Sequence, residues 1–127
     1  MLTWPLSATT CVAGQKFRVR QVCGTVTDKD GAVIPDAKIK ITLKGHSQAA
    51  TDLSSDQIGN FAVPSVTDGE YEIRVKYSGF WDAWQPFTVS GSRTGKECRK
   101  PIHVVMVPAG GCSYVENAWK KSDLKKK

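Results

Sequence analysis

Hydrophobic and polar residues alternate with period two along most of this chain. In Ala37-Lys38-Ile39-Lys40-Ile41-Thr42-Leu43-Lys44 every odd position is apolar and every even one polar or basic. That pattern is a strand with one buried and one wet face. From Phe17 to Thr27, Val22, Gly24 and Val26 interleave in the same way with Cys23, Thr25 and Thr27. Tyr71, Ile73, Val75 and Tyr77 interleave with Glu72, Arg74 and Lys76, and Phe87 and Val89 share a phase within Gln85 to Ser90. Shorter strands are predicted over Gln48 to Leu53 and Phe61 to Val63, and a last one over Pro101 to Val107. Turn signals separate them: Asp28-Lys29-Asp30-Gly31, Pro35-Asp36, Asp56-Gln57-Ile58-Gly59-Asn60 and Thr67-Asp68-Gly69.

These strands predict an all-β fold, a seven-stranded antiparallel two-layer sandwich over residues 17–108. Residues 1–16 are an N-terminal extension and residues 109–127 a C-terminal one. In the latter, Tyr114, Val115, Ala118 and Trp119 share a face at helical spacing, which predicts a short helix over Ser113 to Trp119. The expected core is Val22, Val26, Ile39, Ile41, Leu43, Phe61, Val63, Tyr71, Ile73, Val75, Phe87, Val89, Ile102, Val104 and Met106.

Length and composition agree with one globular domain: 127 residues, 40% hydrophobic and 24% charged. No apolar run approaches the roughly 18 residues of a membrane-spanning helix. The net charge of +6 suggests a polyanion partner only until it is located. Lys120 to Lys127 hold five lysines and one aspartate, leaving thirteen basic and eleven acidic residues, a net of +2, over the first 119. A nucleic-acid-binding domain is basic on its folded surface, so nucleic acid is not the expected partner. The lysine-rich end reads as a solvated terminus rather than a tether.

Four cysteines, Cys11, Cys23, Cys98 and Cys112, contain no Cys-x-x-Cys pair, so zinc-ribbon and thioredoxin-like chemistry lack their geometry. Two disulfides are expected instead, and they imply an exported protein, periplasmic, secreted or at the cell surface. The connectivity stays open between local pairs, Cys11–Cys23 with Cys98–Cys112, and the two long-range alternatives. Leu2-Thr3-Trp4-Pro5-Leu6 has no basic or extended apolar region, so a signal peptide is expected to have been removed.

Ordered motifs carry a family resemblance. Gly24-Thr25-Val26-Thr27-Asp28-Lys29-Asp30-Gly31 is followed by Ile34-Pro35-Asp36-Ala37-Lys38-Ile39 and Thr51-Asp52. Gly59-Asn60-Phe61, Asp68-Gly69-Glu70-Tyr71-Glu72-Ile73 and Ser78-Gly79-Phe80 continue the series. The set resembles the carboxypeptidase regulatory-like domain over roughly Val22 to Val107. The resemblance implies a transthyretin-like (prealbumin-like) seven-stranded sandwich, commonly exported from bacteria. It also implies an accessory module without catalysis.

Asp28, Asp30 and Asp36, or Asp52 and Asp56, are read as turn formers rather than calcium ligands, because no twelve-residue loop closed by Glu is present. His46 and His103 are the only histidines, and no Gly-x-Ser-x-Gly, phosphate loop or His-Glu-x-x-His occurs. Hydroxyisourate hydrolases, which share the sandwich, end in Tyr-Arg-Gly-Ser, whereas this sequence ends in lysines. Iron ligation of the intradiol dioxygenase kind lacks its two-Tyr, two-His spacing, and Asn60 and Asn117 are poorly placed for an isopeptide bond. No catalytic residue, metal or cofactor is therefore expected.

The segment Tyr77 to Phe87 holds five aromatic residues. Trp81, Asp82, Trp84, Gln85 and Tyr77 are the candidate ligand-binding set, since sugars stack on flat rings flanked by hydrogen-bonding groups. The rings could equally cap the sandwich, with Trp4 and Trp119, or contact a protein. The expected function is a monomeric, non-catalytic exported module that binds a protein or cell-envelope component. A carbohydrate-binding module is the alternative and a small enzyme on the same fold a distant third.

Overall fold

The computed structural model describes residues 16–45, 49–92, 98–108 and 111–117. The described residues form nine strands and no helix. In chain order these are β1 (Phe17–Val19), β2 (Val22–Asp28), β3 (Lys38–Leu43), β4 (Ala49–Ser54), β5 (Asn60–Val63), β6 (Gly69–Lys76), β7 (Ala83–Val89), β8 (Ile102–Met106) and β9 (Tyr114–Asn117). They build a five-stranded sheet, β1-β7-β6-β3-β4, and a four-stranded sheet, β5-β2-β8-β9.

The all-β sandwich is as expected, but two features correct the prediction of seven antiparallel strands. The first predicted strand is two: a bend at Arg20-Gln21 sends β1 to one sheet and β2 to the other. Both sheets are mixed, because β1 runs parallel to β7 and β2 parallel to β8. Alternation reports which face is buried and is blind to strand direction.

The predicted C-terminal helix is also corrected. Residues 114–117 form β9, antiparallel to β8, with Val115 buried and Tyr114 46% exposed. A seven-residue helix is marginal in water by itself. The open edge of β8 instead supplies hydrogen-bond partners for the backbone, with Val104 opposite Val115. Ala118 and Trp119 lie outside the described residues, as do Trp4, Cys11, His46 and the terminal lysines.

The core lies between the sheets. Thirteen of the fifteen expected core residues are buried; Leu43 and Val63 pack against it half-buried. Phe87 is fully buried and stacks on Phe17 and Tyr71, with ring centroids 5.7 and 5.8 Å away. The Tyr71 hydroxyl keeps a partner by donating to the Thr67 carbonyl at 2.8 Å. Val19, Ile34, Ala37 and Ala83 join this core.

Aspartates close the turns as expected. Asp28 Oδ1 accepts the backbone N–H groups of Asp30 and Ala32 at 2.8 and 2.9 Å. Asp56 Oδ1 does the same for Ile58 and Asn60 at 3.0 and 2.8 Å. Buried Ser55 accepts from the Ala37 N–H at 2.8 Å and donates to the Ile34 carbonyl at 2.7 Å, pinning the loop that enters β3. Gly24 serves a close approach: a Cβ there would stand 1.8 Å from the Ile102 carbonyl oxygen. The parallel β2–β8 pairing at this register therefore needs glycine.

Cys23 and Cys98 form a disulfide across 75 residues of chain, with Cα atoms 6.0 Å apart. This excludes the local pairing Cys11–Cys23 with Cys98–Cys112. Cys112 is disulfide-bonded as well. The bond ties the buried β2 to the exposed segment preceding β8.

Candidate functional site

The alternation that buries Ile39, Ile41, Ile73 and Val75 turns Lys38, Lys40, Glu72, Arg74 and Lys76 outward on the five-stranded sheet. Register then aligns these side chains across strands. Asp52 on β4 faces Lys40 on β3, Lys40 faces Arg74 on β6, and Arg74 faces Trp84 on β7. The adjacent row places Ser54 against Lys38 and Lys38 against Lys76.

Two depressions mark this face. One, of about 500 Å³, is lined chiefly by Lys38, Lys40, Asp52, Ser54, Arg74 and Lys76. The other, of about 730 Å³, is lined by Arg74, Phe80, Trp81, Asp82 and Trp84. Arg74 lines both, so the cationic and aromatic areas are continuous.

The five predicted ligand-binding residues separate here. Trp81, Asp82 and Trp84 come together in the aromatic depression. Trp81 is 41% exposed, with its backbone pinned: its N–H donates to Val107 at 3.0 Å and its carbonyl accepts from Ser113 Oγ at 2.7 Å. Trp84 is half-buried and its indole N–H donates to Glu72 Oε2. Asp82 pairs with Lys76 at 3.8 Å. Tyr77 lies aside, half-buried against Phe80 with centroids 5.8 Å apart. Gln85 is corrected as a surface residue: it is fully buried on the inner face of β7, and its Nε2 donates to the Pro86 carbonyl at 2.9 Å. In strict alternation Trp84 and Gln85 cannot share a face.

Sequence reasoning missed Lys40, Arg74, Lys38 and Lys76 as members of the site. Their signal was present as the even-numbered basic positions, which mark a wet face without saying what stands beside it.

The outer face of the four-stranded sheet holds a second polar cluster. His103 Nε2 lies 2.8 Å from the Thr27 hydroxyl and Nδ1 lies 3.0 Å from Glu116 Oε2. Beside it the Thr25 hydroxyl donates to Asn60 Oδ1 at 3.0 Å. Hydroxyl, imidazole and carboxylate stand in the order used by hydrolytic triads. Thr27, however, is only 7% exposed, so its oxygen is closed to a substrate as it stands. The hydroxyl and both ring nitrogens have partners within the trio, and the arrangement cross-links β2, β8 and β9. Among the described residues no group of His, Cys, Asp and Glu is placed to hold a metal ion.

Comparison with known proteins agrees with this architecture. A search of curated protein sequences finds no match. Among solved structures, the 5-hydroxyisourate hydrolase of Klebsiella pneumoniae superposes with a TM-score of 0.55 at 13% identity, covering 76% of this chain and 97% of that one. At that identity the likeness concerns the transthyretin-like fold alone. The family profile of the carboxypeptidase regulatory-like domain matches residues 21–97, more than half of the chain. On that match the chain belongs to the carboxypeptidase regulatory-like domain family.

Proposed function

We propose that this protein is a non-catalytic, extracytoplasmic binding module whose contact surface is the outer face of the five-stranded sheet. The observation that carries the reading is the continuity of that face through Arg74, which joins an exposed aromatic area to a row of cations. Lys40 and Arg74 form no salt bridge among the described residues, so their charges remain available to a partner. Rigid strands present these groups at defined spacing, as a preorganised binding site requires. The Cys23–Cys98 disulfide supports an oxidising compartment. Closure of the Thr27 hydroxyl and the accessory character of the family both support binding rather than turnover.

Sedimentation with purified cell-envelope fractions tests the reading. The wild-type chain should co-sediment, and the double charge reversal Lys40→Glu/Arg74→Glu should lose it. Tyr114→Ser, on the opposite sheet, should keep it. Equal retention of the charge-reversed protein would sink this assignment of the face.

A further inference from the structure

We propose that the ligand of this face is an acidic polysaccharide, a chain of sugar rings bearing carboxylates, lying from Trp81 past Arg74 to Lys40. The inference rests on the reading of the face as the contact surface and adds the chemistry of what it meets.

The first support is order. Trp84, Arg74, Lys40 and Asp52 are successive cross-strand partners on β7, β6, β3 and β4. Strands lie about 4.8 Å apart, so this row runs about 14 Å across the sheet. A polymer laid across the strands meets an aromatic ring, two cations and a carboxylate in sequence.

The second support is an electrostatic cost. Lys38 stands directly opposite Lys76, and Lys40 directly opposite Arg74. Like charges facing each other across strands destabilise a sheet. Lys38 and Lys76 are each offset by a carboxylate, Asp36 at 3.7 Å and Asp82 at 3.8 Å. Lys40 and Arg74 have no ion pair among the described residues, and their depression contains Asp52 as its one carboxylate. An anionic group seated between Lys40 and Arg74 relieves their repulsion, and Arg74 is suited to grip a carboxylate through two N–H groups.

The third support separates a sugar from other anions. Asp82 and Glu72 flank the tryptophans. Carboxylates accept hydrogen bonds, which sugar hydroxyls donate and ionised glutamate side chains do not. The exposed ring of Trp81 offers an apolar face that an acidic polypeptide backbone does not call for. Rings, hydroxyls and carboxylates together match all three features.

The test titrates the full chain with polygalacturonate, following tryptophan fluorescence and heat. Comparators are fully methyl-esterified polygalacturonate, which keeps the rings and loses the charge, and poly-glutamate, which keeps the charge and lacks the rings. Saturable binding of polygalacturonate is expected, with Arg74→Gln and Trp81→Ala each weakening it about tenfold or more while the thermal midpoint stays near wild type. Both comparators should bind at least about tenfold more weakly than polygalacturonate. Equal binding of the methyl ester, or of poly-glutamate, overturns the acidic-polysaccharide assignment. If the variants still weaken that binding, the face itself stands as the contact surface. No binding of polygalacturonate also overturns the ligand class, and the sedimentation experiment then judges the face separately. Unchanged affinity in both variants, as attraction to the terminal lysines would give, overturns ligand and face together.

Discussion

His103 sets Nε2 2.8 Å from the Thr27 hydroxyl and Nδ1 3.0 Å from Glu116 Oε2, so a single imidazole joins three strands. The tautomer that satisfies all three groups carries its proton on Nδ1. His103→Ala leaves the Thr27 hydroxyl buried without its acceptor and should cost about 1–3 kcal/mol in denaturant unfolding. Adding Thr27→Val should recover part of that loss, because the orphaned hydroxyl is then gone. Strictly additive losses would show that the two groups do not interact.

Gly24 is expected to be intolerant of even the smallest side chain. Its added Cβ would meet the Ile102 carbonyl oxygen, a backbone atom that cannot move aside without parting β2 from β8. Gly24→Ala should therefore cost about 3 kcal/mol or more, at the upper end of overpacking penalties. A loss below about 1 kcal/mol, measured by chemical denaturation, would show that the sheet relaxes around it.

The disulfide pairing is checked directly by peptide mapping without reduction. A peptide pair containing Cys23 and Cys98 should appear and vanish on reduction. A Cys98–Cys112 pair would contradict the fold. The double substitution Cys23→Ser/Cys98→Ser should lower stability by about 2–5 kcal/mol, since the bond closes a long loop in the unfolded chain.

Asp68 governs an acid-sensitive contact between the loop before β6 and the end of β7. Its carboxylate accepts the backbone N–H groups of Ser92 at 2.9 Å and Gly91 at 3.1 Å. These bonds, Ser92 first, hold its pKa below the ordinary aspartate value of 3.8. A carboxyl depressed in the folded state stabilises it in full above the unfolded pKa, and the gain is lost as pH falls through the folded one. An NMR titration should place the Asp68 midpoint below 3.8. In Asp68→Asn the Gly91 and Ser92 amide shifts should lose their acid-range titration, and a midpoint at or above 3.8 in wild type would contradict the contact.

The inner and outer faces were legible almost residue by residue. Ile39, Ile41, Ile73, Val75 and Phe87 are buried where alternation places them, because burial of an apolar side chain favours one pleat face by about 1.5–3 kcal/mol each. Small residues escaped the pattern: Ala37 and Ala83 are fully buried, yet alanine carries too little hydrophobic signal to declare a face. Val105 and Thr27 are nearly as buried on the outer face of their sheet, where alternation predicts exposure. At the candidate site, aromatic composition pointed to Trp81, Asp82 and Trp84, which the fold gathers in one depression. Gln85 was misplaced by treating a sequence neighbour of Trp84 as a spatial one.

By itself, then, the sequence determined the strands, their wet and dry sides, the aspartate-closed turns and the family. Each of these is written in contacts among residues a few positions apart. Tertiary structure alone decided what lies far apart in the chain: the parallel pairings of β1 and β2, the recruitment of β9 as a strand, and the partner of Cys23. It also decided that Lys40, Arg74 and Trp84 share one row, although 34 and 10 residues of sequence separate them. Register across a sheet depends on which edge pairs with which. That choice is made by the packing of the whole core and cannot be read from any one strand.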